Sequence, residues 1–81
     1  GEILIREYKG VPLTPKLALL EKGGVSRVFV VENGVAKQRT LKVVATNTDY
    51  IYAEGVRVGE TIVTRGQDLL SDGQPVRILE Q

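Results

Sequence analysis

VFVVENGVAKQRT, residues 28–40, sets a block of β-branched and aromatic residues against Asn33-Gly34 and follows it with a more polar return. Val28-Phe29-Val30-Val31 places apolar side chains on both faces of a strand, which predicts a central strand over Ser26 to Glu32. Asn33-Gly34 predicts a two-residue type I′ turn, because both turn positions need positive φ and Asn and Gly tolerate it best. The return strand then runs from Val35 to about Thr46. Lys37-Gln38-Arg39 is polar on both faces, whereas Leu41, Val43 and Ala45 restore an apolar face. The hairpin is therefore expected to protrude at its tip and enter the core further down.

Outward from this hairpin, period-two segments alternate with glycine punctuation. Glu2 to Tyr8 reads as a strand ending near Lys9-Gly10. Pro12 and Pro15 prevent regular central pairing, so Val11 to Lys16 is expected at an edge or in a crossover. Leu17-Ala18-Leu19-Leu20 is a short apolar segment closed by an exposed loop at Glu21-Lys22-Gly23-Gly24. Asn47-Thr48-Asp49 is a turn, Tyr50 to Ala53 a strand, and Glu54 to Gly59 a connection bracketed by Gly55 and Gly59. Thr61 to Thr64 is a further strand, ended by Gly66. Gln67 to Leu70 suits one helical turn before the turn at Ser71-Asp72-Gly73, and Pro75 opens a last strand over Val76 to Leu79. The count is about six short strands and one short helical turn, which predicts an all-β chain folded as a small antiparallel β-barrel or sandwich.

Composition narrows the function. Eighty-one residues suit a single small domain, and a formal charge of +1 supplies no strong field for nucleic acid or an anionic membrane. The longest apolar runs have four residues, too short to span a bilayer. Without Cys, His or Met, the chain lacks the usual ligands of zinc, copper and iron, and the thiol and imidazole of common nucleophile arrangements. No cofactor and no enzymatic activity are expected.

Three acidic groupings stand as candidates for a hydrolase: Asp68 with Asp72, Glu54 with Glu60, and Glu32 beside the hairpin turn. Paired-carboxylate chemistry needs two carboxyls held about 5–10 Å apart across a cleft, and each of these acids sits at a turn, where solvated acids normally lie. Gly55-Val56-Arg57-Val58-Gly59 lacks the spacing and the following helix of a phosphate loop. Tyr50 and Tyr52 share a strand face beside Lys37, Arg39 and Lys42, which keeps a small barrel binding single-stranded nucleic acid as the alternative reading.

In order, the punctuation resembles one family. Leu13-Thr14-Pro15-Lys16-Leu17-Ala18-Leu19-Leu20 resembles the "VPxxAL" segment of periplasmic adaptor proteins, the HlyD-like membrane fusion proteins of efflux pumps. Val28 to Ala36 is similar to their "VFVVENGVA" hairpin. Ile51 to Val63 resembles "VEILEGLKAGETVV", and Gly66 to Val76 resembles "GQxLLxDGxPV". Val44, and the loop Asn47 to Tyr50, depart from the family at positions where it commonly has glycine.

The resemblance implies the C-terminal, membrane-proximal β-barrel domain of such an adaptor, spanning residues 1–81. Residues 1–12 would be the strand leading in from a preceding domain. In the family this domain also takes a strand from the start of the whole protein, so its absence here implies an open sheet edge. The implied partners are an inner-membrane efflux transporter of the proton-driven, RND type and other adaptor protomers, with coupling to an outer-membrane channel. The implied location is the periplasm, held at the inner membrane through the parent protein. Docking is expected at exposed polar positions flanking the glycine-ordered loops, namely Arg57, Arg65 and Gln67. Asn33, Gly34, Gly55, Gly59, Gly66, Asp72 and Gly73 are expected to shape turns.

Overall fold

The computed structural model describes residues 3–9 and 13–78. Eight strands follow in order: β1 (Ile3–Lys9), β2 (Leu13–Pro15), β3 (Leu20–Lys22), β4 (Val25–Glu32), β5 (Val35–Thr46), β6 (Tyr50–Glu54), β7 (Thr61–Arg65) and β8 (Gln74–Ile78). Single 3₁₀ turns occupy Lys16–Ala18 and Gln67–Leu69. Pro12 and the expected strand end at Leu79 lie outside the described residues.

Five strands close a ring. β4 pairs with β5 over seven residue pairs, from Ser26 with Leu41 to Glu32 with Val35. β4 also pairs with β7, β7 with β1, and β5 with β8, all antiparallel. The seam between β1 and β8 is parallel. One apolar cluster holds a residue from every strand of the ring: Ile5, Phe29, Ala36, Val63 and Val76. This is the barrel interior.

Because successive side chains on a strand point to opposite faces, Val28 and Val30 turn away from Phe29 and Ile62 turns away from Val63. They join Ala18, Leu41 and Ile51 in a second cluster on the outside of the barrel wall. The 3₁₀ turn at Lys16–Ala18 and strand β6 cover it, and β2 extends that flap. The double-faced apolar run in β4 is thus one residue set filling the barrel and another filling the layer between barrel and flap.

Two expectations need correction. The β4–β5 hairpin does not protrude at its tip. Val35 and Ala36 pair with Pro75 and Gln74, the Val76 N–H donates to the Gly34 carbonyl at 2.9 Å, and the Gly73 N–H donates to the Ala36 carbonyl at 2.7 Å. The small Ala36 side chain is fully buried there. The far end protrudes instead: Val43 and Val44 are 37% and 53% exposed, since β4 pairing stops at Leu41.

The second correction concerns Glu21 to Gly24, which is not a free loop. Glu21 and Lys22 belong to β3, which pairs with the start of β4. Gly23 and Gly24, at φ +60° and +79°, make the tight reversal. The strand count rises from about six to eight because β2 and β3, three residues each, are too short to carry a periodic signal.

Candidate docking surface

β5 leaves the tip with Arg39 pointing toward the connection between β6 and β7. Its guanidinium donates from Nη1 to Glu60 Oε1 at 2.7 Å and to the Gly55 carbonyl at 2.9 Å. From Nη2 it donates to Glu60 Oε2 at 2.8 Å, with Glu32 Oε1 at 3.4 Å. The fork-on-fork pairing of Arg39 with Glu60 is the strong, charge-assisted kind. Glu60 closes the connection from within: its Oε1 accepts the Arg57 N–H at 2.7 Å, and its own N–H donates to the Arg57 carbonyl at 3.1 Å. The connection bearing Arg57 and the 73%-exposed Val58 is therefore a held loop on the barrel wall.

The hollow around this clamp, about 530 Å³, is lined by Glu32, Arg39, Gly55, Val56, Arg57 and Glu60. It brings together two acids that the sequence left apart. A general acid must stay protonated near neutral pH, whereas hydrogen bonding from Arg39 outweighs burial and holds the Glu60 carboxyl below its ordinary value. Both its oxygens are already committed. The arrangement is a clamp, and among the described residues no three His, Cys, Asp or Glu side chains gather as a metal site.

Glu60→Gln tests the clamp. Glu60 has a depressed folded-state pKa, so its contribution is complete above the ordinary carboxylate value of 4.5 and is lost as pH falls below it through the folded value. At neutral pH the variant is expected to lose about 1 kcal/mol, since both partners are partly solvated. In urea melts that gap should narrow as the pH is taken down to about 3.

The three expected docking residues do not form one patch. Arg57 lies in the loop before β7, while Arg65 ends β7 and Gln67 begins the following 3₁₀ turn. β7 separates the two places by roughly 13–17 Å of strand. Arg65 and Gln67 do lie together. Gly66 between them adopts φ +88°, and a Cβ there would stand 2.9 Å from the Leu4 carbonyl, so β1 packs tightly beneath this corner. The Gln67 amide donates to the Leu17 carbonyl, tying the corner to the flap.

Arg65 faces Arg6 across the β1–β7 pairing. Like charges directly opposite are unfavourable, and among the described residues neither makes an ion pair. Sequence reasoning missed Arg6, because the register that brings it beside Arg65 is set by a bulge between Arg6 and Glu7.

The remaining candidates fall into plain roles. Asn33, at φ +52°, and Gly34, at +77°, make the hairpin turn, and Gly55, Gly59 and Gly73 also have positive φ. Asp72 Oδ1 accepts the Gln38 N–H at 2.8 Å, and Asp68 is exposed on the 3₁₀ turn. Tyr50 and Tyr52 lie on β6 opposite Pro15 and Leu13. Beside them Lys42 lies opposite Glu54 on β6, and Arg39, the middle one of the three cations of the nucleic-acid reading, is held by Glu60.

Comparison with known proteins adds the family. A family model described as YknX, C-terminal permuted SH3-like domain, matches residues 12–78. No curated protein gives a match.

Proposed function

Because the chain belongs to the family of YknX C-terminal permuted SH3-like domains, an adaptor-type family, we propose that it docks its parent adaptor on the periplasmic part of an inner-membrane efflux transporter. The match over residues 12–78 carries this reading. The domain works by shape and contact. A closed five-strand barrel with a held loop at one end of β7 and a cationic corner at the other presents fixed surfaces.

Location in the periplasm, assembly with other adaptor protomers and coupling to an outer-membrane channel belong to the same proposal. So does a proton-driven, RND-type transporter, which rests on the motif resemblance alone. Docking is assigned to Arg65 with Gln67, and separately to Arg57. The juxtaposed Arg6 and Arg65 favour an acidic patch on the transporter.

Co-purification of the full-length adaptor with its transporter tests this. Arg65→Glu is expected to weaken association by roughly tenfold or more, the scale for reversing one charge in an interface, while Lys37→Glu, at an exposed position on β5 opposite Val30, leaves it unchanged. Undiminished association after reversal at both Arg57 and Arg65 removes these residues from the proposal. The identity of the co-purified transporter, proton-driven or ATP-driven, decides its type.

A further inference from the structure

Val58 is the most exposed large apolar side chain among the described residues, at 73%. A bare valine on a loose loop needs no explanation, but this one is held in place. The chain enters the connection at Gly55, whose φ of +123° and close approach to the Thr40 carbonyl fix its path over β5. Val56 then turns inward and packs against the outer apolar cluster. Beyond the tip, Glu60 accepts the Arg57 N–H at 2.7 Å, and its own N–H returns to the Arg57 carbonyl at 3.1 Å. Arg39 reaches across from β5 to both Glu60 and the Gly55 carbonyl, which ties the two ends of the connection to the barrel wall.

These contacts leave only the tip unused. The Arg57 and Val58 side chains are exposed, and Arg57 forms no ion pair among the described residues. Nothing lies within 4 Å of a Cβ built at Gly59, so the chain leaves room for a partner beside the tip. A side chain that is already ordered loses little further freedom when it docks, and that saving appears as affinity.

We infer that Val58 is the apolar anchor of the docking surface, that Arg39 and Glu60 are its positioning residues, and that the transporter receives it in an apolar socket with an acid at the lip opposite Arg57. The inference rests on the reading of the domain as a docking module. Burial of the two Val58 methyl groups supplies affinity, and Arg57 against the acid supplies orientation. A second copy of this chain offers a poorer socket. The hollow that Phe29 lines presents Lys22 and Arg27 beside Glu21 and Asp68, so Arg57 would meet cations there as well as acids. A bilayer also fits less well, because a single valine buries little apolar area in it.

The test is the affinity of the full-length adaptor for its purified transporter. Val58→Ala is expected to weaken it by roughly tenfold, the loss of two methyl groups from a socket. Val58→Asp should weaken it by roughly a hundredfold or more, since a carboxylate would enter an apolar site. Both variants should melt like the unaltered protein, because the side chain is exposed. Arg39→Gln combined with Glu60→Gln removes the clamp with no change of net charge, and should weaken association by about threefold to tenfold through added disorder at the tip. That effect should shrink in the Val58→Ala background and multiply in full with Arg65→Glu, which lies at the other end of β7.

Undiminished affinity in Val58→Asp overturns the inference, and weakening by Arg65→Glu in the same assay then leaves the docking reading standing without it. Full multiplication of the clamp's effect with Val58→Ala also overturns it, since Arg39 and Glu60 would then act on the fold and not on the anchor. So does a loss, on Val58→Asp, of adaptor self-association or of binding to vesicles of phosphatidylethanolamine and phosphatidylglycerol, in favour of a second copy or a bilayer. An unaltered adaptor that does not bind the transporter overturns both readings.

Discussion

Phe29→Ala is expected to lower the unfolding free energy by about 3–5 kcal/mol, the usual cost of emptying an aromatic site in a core. Phe29 is 2% exposed and packs with Ile5, Ala36, Val63 and Val76, one residue from each other strand of the ring. The cavity cannot close by a small shift of one neighbour, because each neighbour sits on a strand held by pairing on both sides. A domain of this size has roughly 5 kcal/mol or little more to lose. The variant should therefore show a large unfolded population at 25 °C by circular dichroism. Ile3→Ala, at the partly buried margin of the same cluster, should cost less than half as much, about 1–2 kcal/mol.

Gly55→Ala is expected to cost about 3 kcal/mol through the backbone alone. Gly55 has φ +123°, a conformation that L side chains rarely adopt, and a Cβ there would lie 2.7 Å from the Thr40 carbonyl oxygen and 3.0 Å from Leu41 Cδ2. The Thr40 carbonyl belongs to β5 opposite Arg27 and cannot give way cheaply. The Gly55 carbonyl is also the atom that Arg39 holds at 2.9 Å, so any shift of this residue loosens the clamp. Gly59→Ala supplies the contrast. Its φ is +91° but nothing lies within 4 Å of an added Cβ, so only strain of about 1 kcal/mol applies. Urea midpoints of the two variants should differ clearly in that order.

Much of the fold was legible because its rules are local. Asn33-Gly34 needs positive φ twice and has it, and the run Val28 to Val31 is apolar on both faces because β4 lies between two clusters. What was not legible depends on distant pairing. Val43 and Ala45 carry the same alternation as a core strand, yet Val43 is 37% exposed, because β4 ends before it and a bulge shifts the register beyond it. Val35 and Ala36 looked like a solvent-facing tip until β8 was placed along them.

The site shows the same division. Arg57 and Gln67 are singled out in the sequence because glycines mark their loops, while Arg39 and Glu60, 21 residues apart, meet only through the barrel's closure. In the sequence Arg39 reads as one of three cations on a polar strand. In the fold its charge is spent on Glu60, whereas Arg65 lies opposite Arg6 across the β1–β7 pairing and, among the described residues, neither makes an ion pair.

Site-specific photo-crosslinking from position 67 in the full-length adaptor, in cells, tests the docking account most directly. Gln67 lies beside Arg65 and its side-chain amide donates to the Leu17 carbonyl on the flap, and it belongs to neither buried cluster, so a crosslinking side chain there leaves the barrel interior intact. The account predicts a crosslink between this position and the inner-membrane transporter, lost when Arg65→Glu is added. Crosslinks confined to other copies of the adaptor, with none to a transporter, would contradict it.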